Sequence, residues 1–248
     1  MSNTNSVTKI TIPHPFIMGR SNASKEINHA KLMGEKNIGP KVHRTKKTLF
    51  KSSMNMNYMN GSLWNVTGNK IELTKGDMKK IIKLVLKMHK EGYYHGRISQ
   101  RTVMWKELED GKNFKLVGFK KMGKIEDKLD YKHVLWKIKT IHKDDWVYDM
   151  KDNIIIVGSH EEDIRDLFEL LASISNIYRY RRNNNERDTD SYYNEMKYNE
   201  HMYKFSKWFR ETVEAEVKNL NNKNKKRNNN KTNNRNNNKT NNRNNNKN

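Results

Sequence analysis

The densest group of side chains able to do chemistry runs from His89 to Lys120. It holds His89 and His95, then Arg97, Ser99 and Thr102, and, past a charged hairpin, Gly118 between Val117 and Phe119. An imidazole can hold or pass a proton near neutral pH, whereas a guanidinium does not give one up in a protein. A hydroxyl is a poor nucleophile unless a base stands beside it. The familiar chemistries are missing around this group. Nine histidines invite a metal reading, but His89 and His95 flank a helix end and no H-E-x-x-H spacing occurs, so no metal site is expected. Cysteine is absent, which excludes disulfides, thiolate zinc sites and a cysteine nucleophile together. The carboxylates of Asp144-Asp145 and Glu161-Glu162-Asp163 are contiguous, so most of them cannot face one site and read as solvated charge. There is no G-x-S-x-G elbow and no Walker loop.

The elements that must position these residues are a helix, a loop and a hairpin. Met78, Ile81, Ile82, Val85 and His89 recur at helical spacing and predict a helix from about Asp77 to Glu91, which Gly92 ends. Val103-Met104-Trp105 and Phe114-Lys115-Leu116-Val117 have strand character and flank Asp110-Gly111, a hairpin signal. Upstream, Val7 to Ile12 reads as a strand, and a helix is expected from about Asn22 to Glu35 with Ser24 as its N-cap. Asn37 to Val42 turns into a further strand, and Thr48 to Asn57 continues the small sheet. Downstream, Trp136, Trp146 and Ile154 to Val157 suggest that Lys120 to His160 packs as its own strand or hairpin. His160 to Leu171 reads as a helix with an acidic first turn, and Tyr178 to Asp190 as a basic linker. A last helix is expected from about Ser191 to Leu220, carrying Met202, Phe205, Phe209, Val213 and Val217 on one side.

This order of parts resembles the catalytic loop and metal-binding segment of the protein kinases, H-x-D-[LI]-x-x-x-x-N-[IVL]-[LM], two strands, then D-F-G. His95-Gly96-Arg97-Ile98-Ser99-Gln100-Arg101-Thr102-Val103-Met104 keeps the framework letters and changes the chemical ones. Arg97 stands where the family has its catalytic aspartate, Thr102 where it has an asparagine ligand of magnesium, and Gly118 where D-F-G supplies a metal-binding carboxylate. The degenerate loop positions are therefore His95, Arg97, Thr102 and Gly118, with no intact catalytic residue. Val7-Thr8-Lys9-Ile10 resembles the family's V-A-I-K strand, and the resemblance implies that Lys9 and Glu26 form its nucleotide-positioning pair. Asn57 to Trp64 resembles the hinge, and Asp163 the aspartate that ties the central helix of the large lobe to the catalytic-loop backbone. No glycine-rich phosphate loop precedes Lys9, and no A-P-E motif follows Phe119.

The expected fold is α+β and protein-kinase-like: a reduced small lobe over 1–60, with few strands and one helix, and a truncated, mostly helical large lobe over 61–220. A basic tail over 221–248 completes it. From Asn221 onward only Asn, Lys, Arg and Thr occur, with an eight-residue period and no apolar residue, so this tail should be disordered. Net charge is +22, of which the tail carries nine positive residues. Such a balance favours nucleic acid, acidic proteins or anionic surfaces as partners. The longest apolar run, Ile154 to Val157, is far too short to span a membrane, and the chain reads as intracellular. The expected function is that of a pseudokinase, binding a protein partner rather than transferring phosphate. No cofactor is required, ATP being a doubtful ligand. Two alternatives are nucleic-acid binding through 221–248 and an unorthodox active kinase in which Asp127 or Asp130 holds the metal. The asparagine-lysine bias is similar to that of kinase-like proteins of large DNA viruses, which would place the protein in the host cytoplasm or the virion.

Overall fold

The computed structural model describes residues 6–11, 17–47, 52–64, 71–140, 158–175 and 197–222, with the backbone alone at 6–11, 17–22, 47 and 140. It mixes helices with short strands, and the chain divides into two compact units, Met1–Arg210 and Glu211–Asn248. Trp146, Ile154 to Val157, the linker Tyr178 to Asp190 and the tail beyond residue 222 lie outside the described residues.

The N-terminal part is a three-stranded antiparallel sheet with one helix. Strand β1 (Ser6–Thr11) and strand β2 (Val42–Lys47) flank β3 (Ser52–Asn57) in the order β1-β3-β2. Ser52 and Met54 turn inward from β3, the period of two that a half-buried strand requires. Helix α1 spans Ile17–Glu35, starting earlier than the sequence suggests, so Ser24 lies within the helix rather than at its cap. Ala23, Ile27, Ala30 and Met33 form its buried stripe.

Helix α2 (Lys75–Lys90) is the spine of the next part. Thr74 and Asp77 cap it reciprocally: the Asp77 amide donates to Thr74 Oγ1 at 3.1 Å, and the Thr74 amide to Asp77 Oδ2 at 3.2 Å. Asp77 thus stands in the first turn and not at the cap. Ile81, Ile82 and Val85 are fully buried. Strand β4 (Gly61–Ser62) pairs with β6 (Val103–Leu108), which forms a hairpin with β7 (Gly111–Leu116) across Glu109-Asp110. Val103, Phe114 and Leu116 pack this sheet inward. Strand β5 (Tyr93–Tyr94) pairs with β8 (Gly123–Lys124), and a 3-10 turn occupies Phe119–Lys121.

Past β8 the structure corrects the sequence reading. Lys132–Thr140 is a helix, α3, and not part of a strand or hairpin. Val134, Leu135 and Ile138 are buried at helical spacing, while Trp136 faces solvent. Helix α4 (His160–Ile174) buries Ile164, Leu167, Phe168 and Leu171 and is capped by Ser159, whose Oγ accepts from the Glu162 amide at 3.2 Å. Residues 197–222 form helix α5. Within the first unit its Phe209 is fully buried and meets Phe168 edge-on at 5.2 Å. Among the described residues no helix is long and apolar enough to cross a membrane.

Candidate functional site

The loop from Tyr93 to Thr102, between α2 and β6, is organised by one carboxylate from α4. Asp163 is fully buried. Its Oδ2 accepts from the His95 amide at 2.6 Å and from His89 Nε2 at 3.0 Å, and its Oδ1 accepts from the Gly96 amide at 2.8 Å. Charge-assisted bonds of this kind are shorter and stronger than neutral ones. The other side of His89 meets the Tyr131 hydroxyl at 3.1 Å. Burial, and next the Asp163 charge, push the Tyr131 phenol above its usual range, so it keeps its proton and can donate to His89 Nδ1. Tyr131, His89 and Asp163 thus form a buried relay ending on two loop amides. His160 packs edge-on against Tyr131 at 5.4 Å and closes the network on its outer side.

The loop is further fixed by its own side chains. His95 Nε2 donates to the Val117 carbonyl at 3.0 Å. Burial holds this imidazole below its ordinary pKa, so it is neutral. Its Nδ1 meets no partner in hydrogen-bonding geometry among the described residues. Gly96 adopts φ +73°, and a Cβ built there would stand 2.8 Å from the Lys121 carbonyl oxygen. Only glycine fits that approach.

Arg97 is exposed on this loop. Thr102, in contrast, faces inward: its hydroxyl accepts from the Ser99 amide at 2.8 Å and lies 3.0 Å from the Arg97 carbonyl and 3.1 Å from the Ser99 carbonyl. A hydroxyl with one proton cannot donate fully to both carbonyls, but every contact closes the loop. Gly118 is left-handed, φ +81°, and a Cβ there would lie 3.3 Å from Thr102 Cγ2. The structure therefore brings His95, Arg97, Thr102, Gly118 and Asp163 to one place. A histidine, an arginine, a threonine hydroxyl committed to the loop and a glycine do not make a magnesium site, because the hard-cation ligand set is oxygen-rich and anionic. Asp163, the carboxylate present, already accepts three hydrogen bonds.

Two other sequence candidates lie on β1 and α1. Lys9 lies on β1 opposite Met54, and its side chain is outside the described residues, so its pairing with Glu26 is not addressed. Glu26 is buried on α1. The hinge-like segment is held by backbone: Asn60 N–H donates to the Trp105 carbonyl at 2.9 Å and Leu63 N–H to Val103 at 3.0 Å. Tyr58 and Trp64 are exposed, and the Arg101 guanidinium sits 5.3 Å from the Trp64 ring. Sequence reasoning missed His89, Tyr131 and His160 as members of the buried network. The available signal was a histidine on an otherwise apolar helix stripe, since a buried imidazole must find partners.

No protein-family model and no curated protein matches the chain. Among solved structures, the Cydia pomonella granulovirus kinase is similar to it at 19% identity and a TM-score of 0.39. That match covers 52% of this chain and 47% of the kinase, less than half of the latter's length.

Proposed function

We propose that this chain is a catalytically impaired protein-kinase-like protein that acts by binding a protein partner. In this reading it has a reduced small lobe, a truncated large lobe and a basic, disordered tail. The observation that supports it most is the chemistry of the loop. Arg97 places a permanent cation where the resemblance calls for a base, and a guanidinium cannot accept a hydroxyl proton. Thr102 spends its hydroxyl on the loop backbone, and Gly118 carries no carboxylate. Charge developing on a triphosphate would go uncompensated where phosphoryl transfer is mostly electrostatic. What persists is the scaffold, with buried Asp163 fixing the loop as a rigid surface. The active-kinase alternative draws less support, since Asp130 Oδ1 already accepts from the Lys132 amide at 3.0 Å at the start of α3.

Purified protein incubated with ATP and magnesium or manganese should label neither itself nor a generic substrate. Label transfer that disappears in Lys9→Ala would overturn the proposal. The double variant Arg97→Asp/Gly118→Asp should also remain inactive, because Thr102 still offers no amide ligand.

The tail favours a second reading. Nine cations without an acid form a polycation able to neutralise phosphates without reading bases. Removing Asn221 to Asn248 should make the salt dependence of DNA binding shallower; equal affinity of full-length and truncated protein at low salt rules the tail out.

A further inference from the structure

Two glycines bring the segments 95–102 and 117–121 into contact. At Gly96 a Cβ would stand 2.8 Å from the Lys121 carbonyl oxygen and 3.2 Å from Lys121 Cβ, and at Gly118 one would stand 3.3 Å from Thr102 Cγ2. The Val117 amide donates to the Thr102 carbonyl at 2.9 Å, and His95 Nε2 to the Val117 carbonyl at 3.0 Å. Arg97 directly follows the first glycine, and Lys120 and Lys121 lie in the 3-10 turn after the second. All three are exposed. Among the described residues none of these three side chains has a hydrogen bond or an ion pair.

The carboxylates around these cations are spent or lie at the far end of the β5–β8 ladder. Asp163 is fully buried and accepts three hydrogen bonds. Glu162 accepts from the Gly158 amide at 2.6 Å, beside Tyr94, and is paired with Arg165 at 3.3 Å. Tyr94 pairs with Gly123 and Tyr93 with Lys124, and the Ile125 amide donates to the Gly92 carbonyl at 2.9 Å, so the chain past Lys121 runs away from Gly96. Exposed Glu126 and Asp127 therefore stand on the order of 15 Å along that strand from Lys121. That exceeds the screening length of about 8 Å at physiological ionic strength. Glu91, at the same end, is paired with Lys36.

We infer that Arg97, with Lys120 and Lys121, receives a phosphate monoester carried on a phosphorylated serine or threonine of the protein partner. A phosphomonoester brings about two negative charges and three strong acceptor oxygens to one point. A guanidinium fork meets two of those oxygens at once, and an ammonium serves the third as a point charge. The cations stand on two touching turns and form no extended row, which suits one compact dianion better than a polymer of spaced monoanions. Asp163, the tight approach at Gly96 and the Thr102 bonds hold the backbone in advance, so less ordering is left for binding to cost. The inference deepens the protein-partner reading and rests on it.

The test measures fluorescence anisotropy of peptides with full-length protein, using degenerate nonapeptide libraries centred on phosphoserine, serine or glutamate. The phosphoserine library should bind about ten-fold tighter than the serine library, with glutamate between them. Phenyl phosphate should displace it. Arg97→Gln should weaken phosphoserine binding about ten-fold, and Arg97→Lys by less, since it keeps the charge and loses the fork. Lys121→Gln should weaken it as well. The control Lys106→Gln/Lys128→Gln removes two exposed cations from other segments and should leave the affinity unchanged. Unchanged affinity in Arg97→Gln/Lys121→Gln, or an equal loss in the control, would overturn the proposal in favour of diffuse net charge. A DNA duplex whose own affinity falls as far in Arg97→Gln would reassign these cations to nucleic acid. Equal binding of the serine and phosphoserine libraries would overturn the site while leaving the partner reading intact. Phosphoserine binding beside label transfer from ATP would uphold the site while overturning that reading.

Discussion

Replacing Asp163 tests the carboxylate that orders the candidate site. Three donors converge on it, the amides of His95 and Gly96 and His89 Nε2, at 2.6, 2.8 and 3.0 Å, and its side chain is fully buried. Asp163→Ala orphans all three, and each buried unsatisfied donor costs about 1 to 3 kcal/mol. The sum, about 3 to 9 kcal/mol before relaxation, approaches the roughly 5 to 15 kcal/mol that holds a typical domain folded. Asp163→Asn is the tractable variant. Its carbonyl oxygen can serve one side of the site, but its amide nitrogen then faces a donor, leaving one donor unmet and removing the charge. A loss of about 2 to 3 kcal/mol follows. For a chain of this size that lowers Tm by about 4 to 12 °C. Urea unfolding with an unchanged m-value measures the loss, and hydrogen exchange locates it at the amides of His95 and Gly96. An alanine variant within about 1 kcal/mol of wild type, or unchanged exchange at both amides, would refute the reasoning.

Ile82→Ala and Val85→Ala should each cost about 1 to 4 kcal/mol, measured by chemical denaturation, because both side chains are fully buried on α2. Gly96→Ala should destabilise far more than Gly92→Ala: both have positive φ, but the first Cβ would meet the Lys121 carbonyl and the second meets nothing within 4 Å. Equal melting temperatures for the two variants would contradict the close approach. His95 is held neutral by burial, so below its ordinary pKa, about 6.5, the unfolded chain takes up a proton that the folded chain resists. Its contribution to stability is therefore present at neutral pH and declines as pH falls through that value. Denaturation midpoints at pH 7.5 and 5.5 should differ less in His95→Gln than in wild type.

Local signals in the sequence located much of the scaffold. The stripe from Met78 to His89, the turn at Gly92, the hairpin around Asp110 and the acidic start of α4 each depend on residues within a few positions of one another, and each formed. Helix α3 was missed because its apolar positions are few and Trp136, the residue that drew attention, points to solvent. The network of His89, Tyr131 and Asp163 joins residues 42 and 74 positions apart, and no periodicity reports on contacts of that range. Thr102 shows the opposite case. Its position was evident from the loop pattern, yet its use, tying Ser99 and Arg97, depends on a backbone path that residue types alone do not give.

The end of α1 is stitched to its surroundings by bonds of several kinds. His29 donates to the Phe119 carbonyl at 3.0 Å, the Leu116 amide to Ile38 O at 3.0 Å, Lys87 to Lys36 O and Lys115 to Asn37 O, while Lys36 pairs with Glu91. These links anchor α1 and the turn after it to α2, to β7 and to the 3-10 turn beyond it. A seam with so many independent fastenings is built as a weld rather than a hinge, since removing one bond leaves the others in place. Substitutions on either side of that seam should therefore change hydrogen-exchange protection on both sides together.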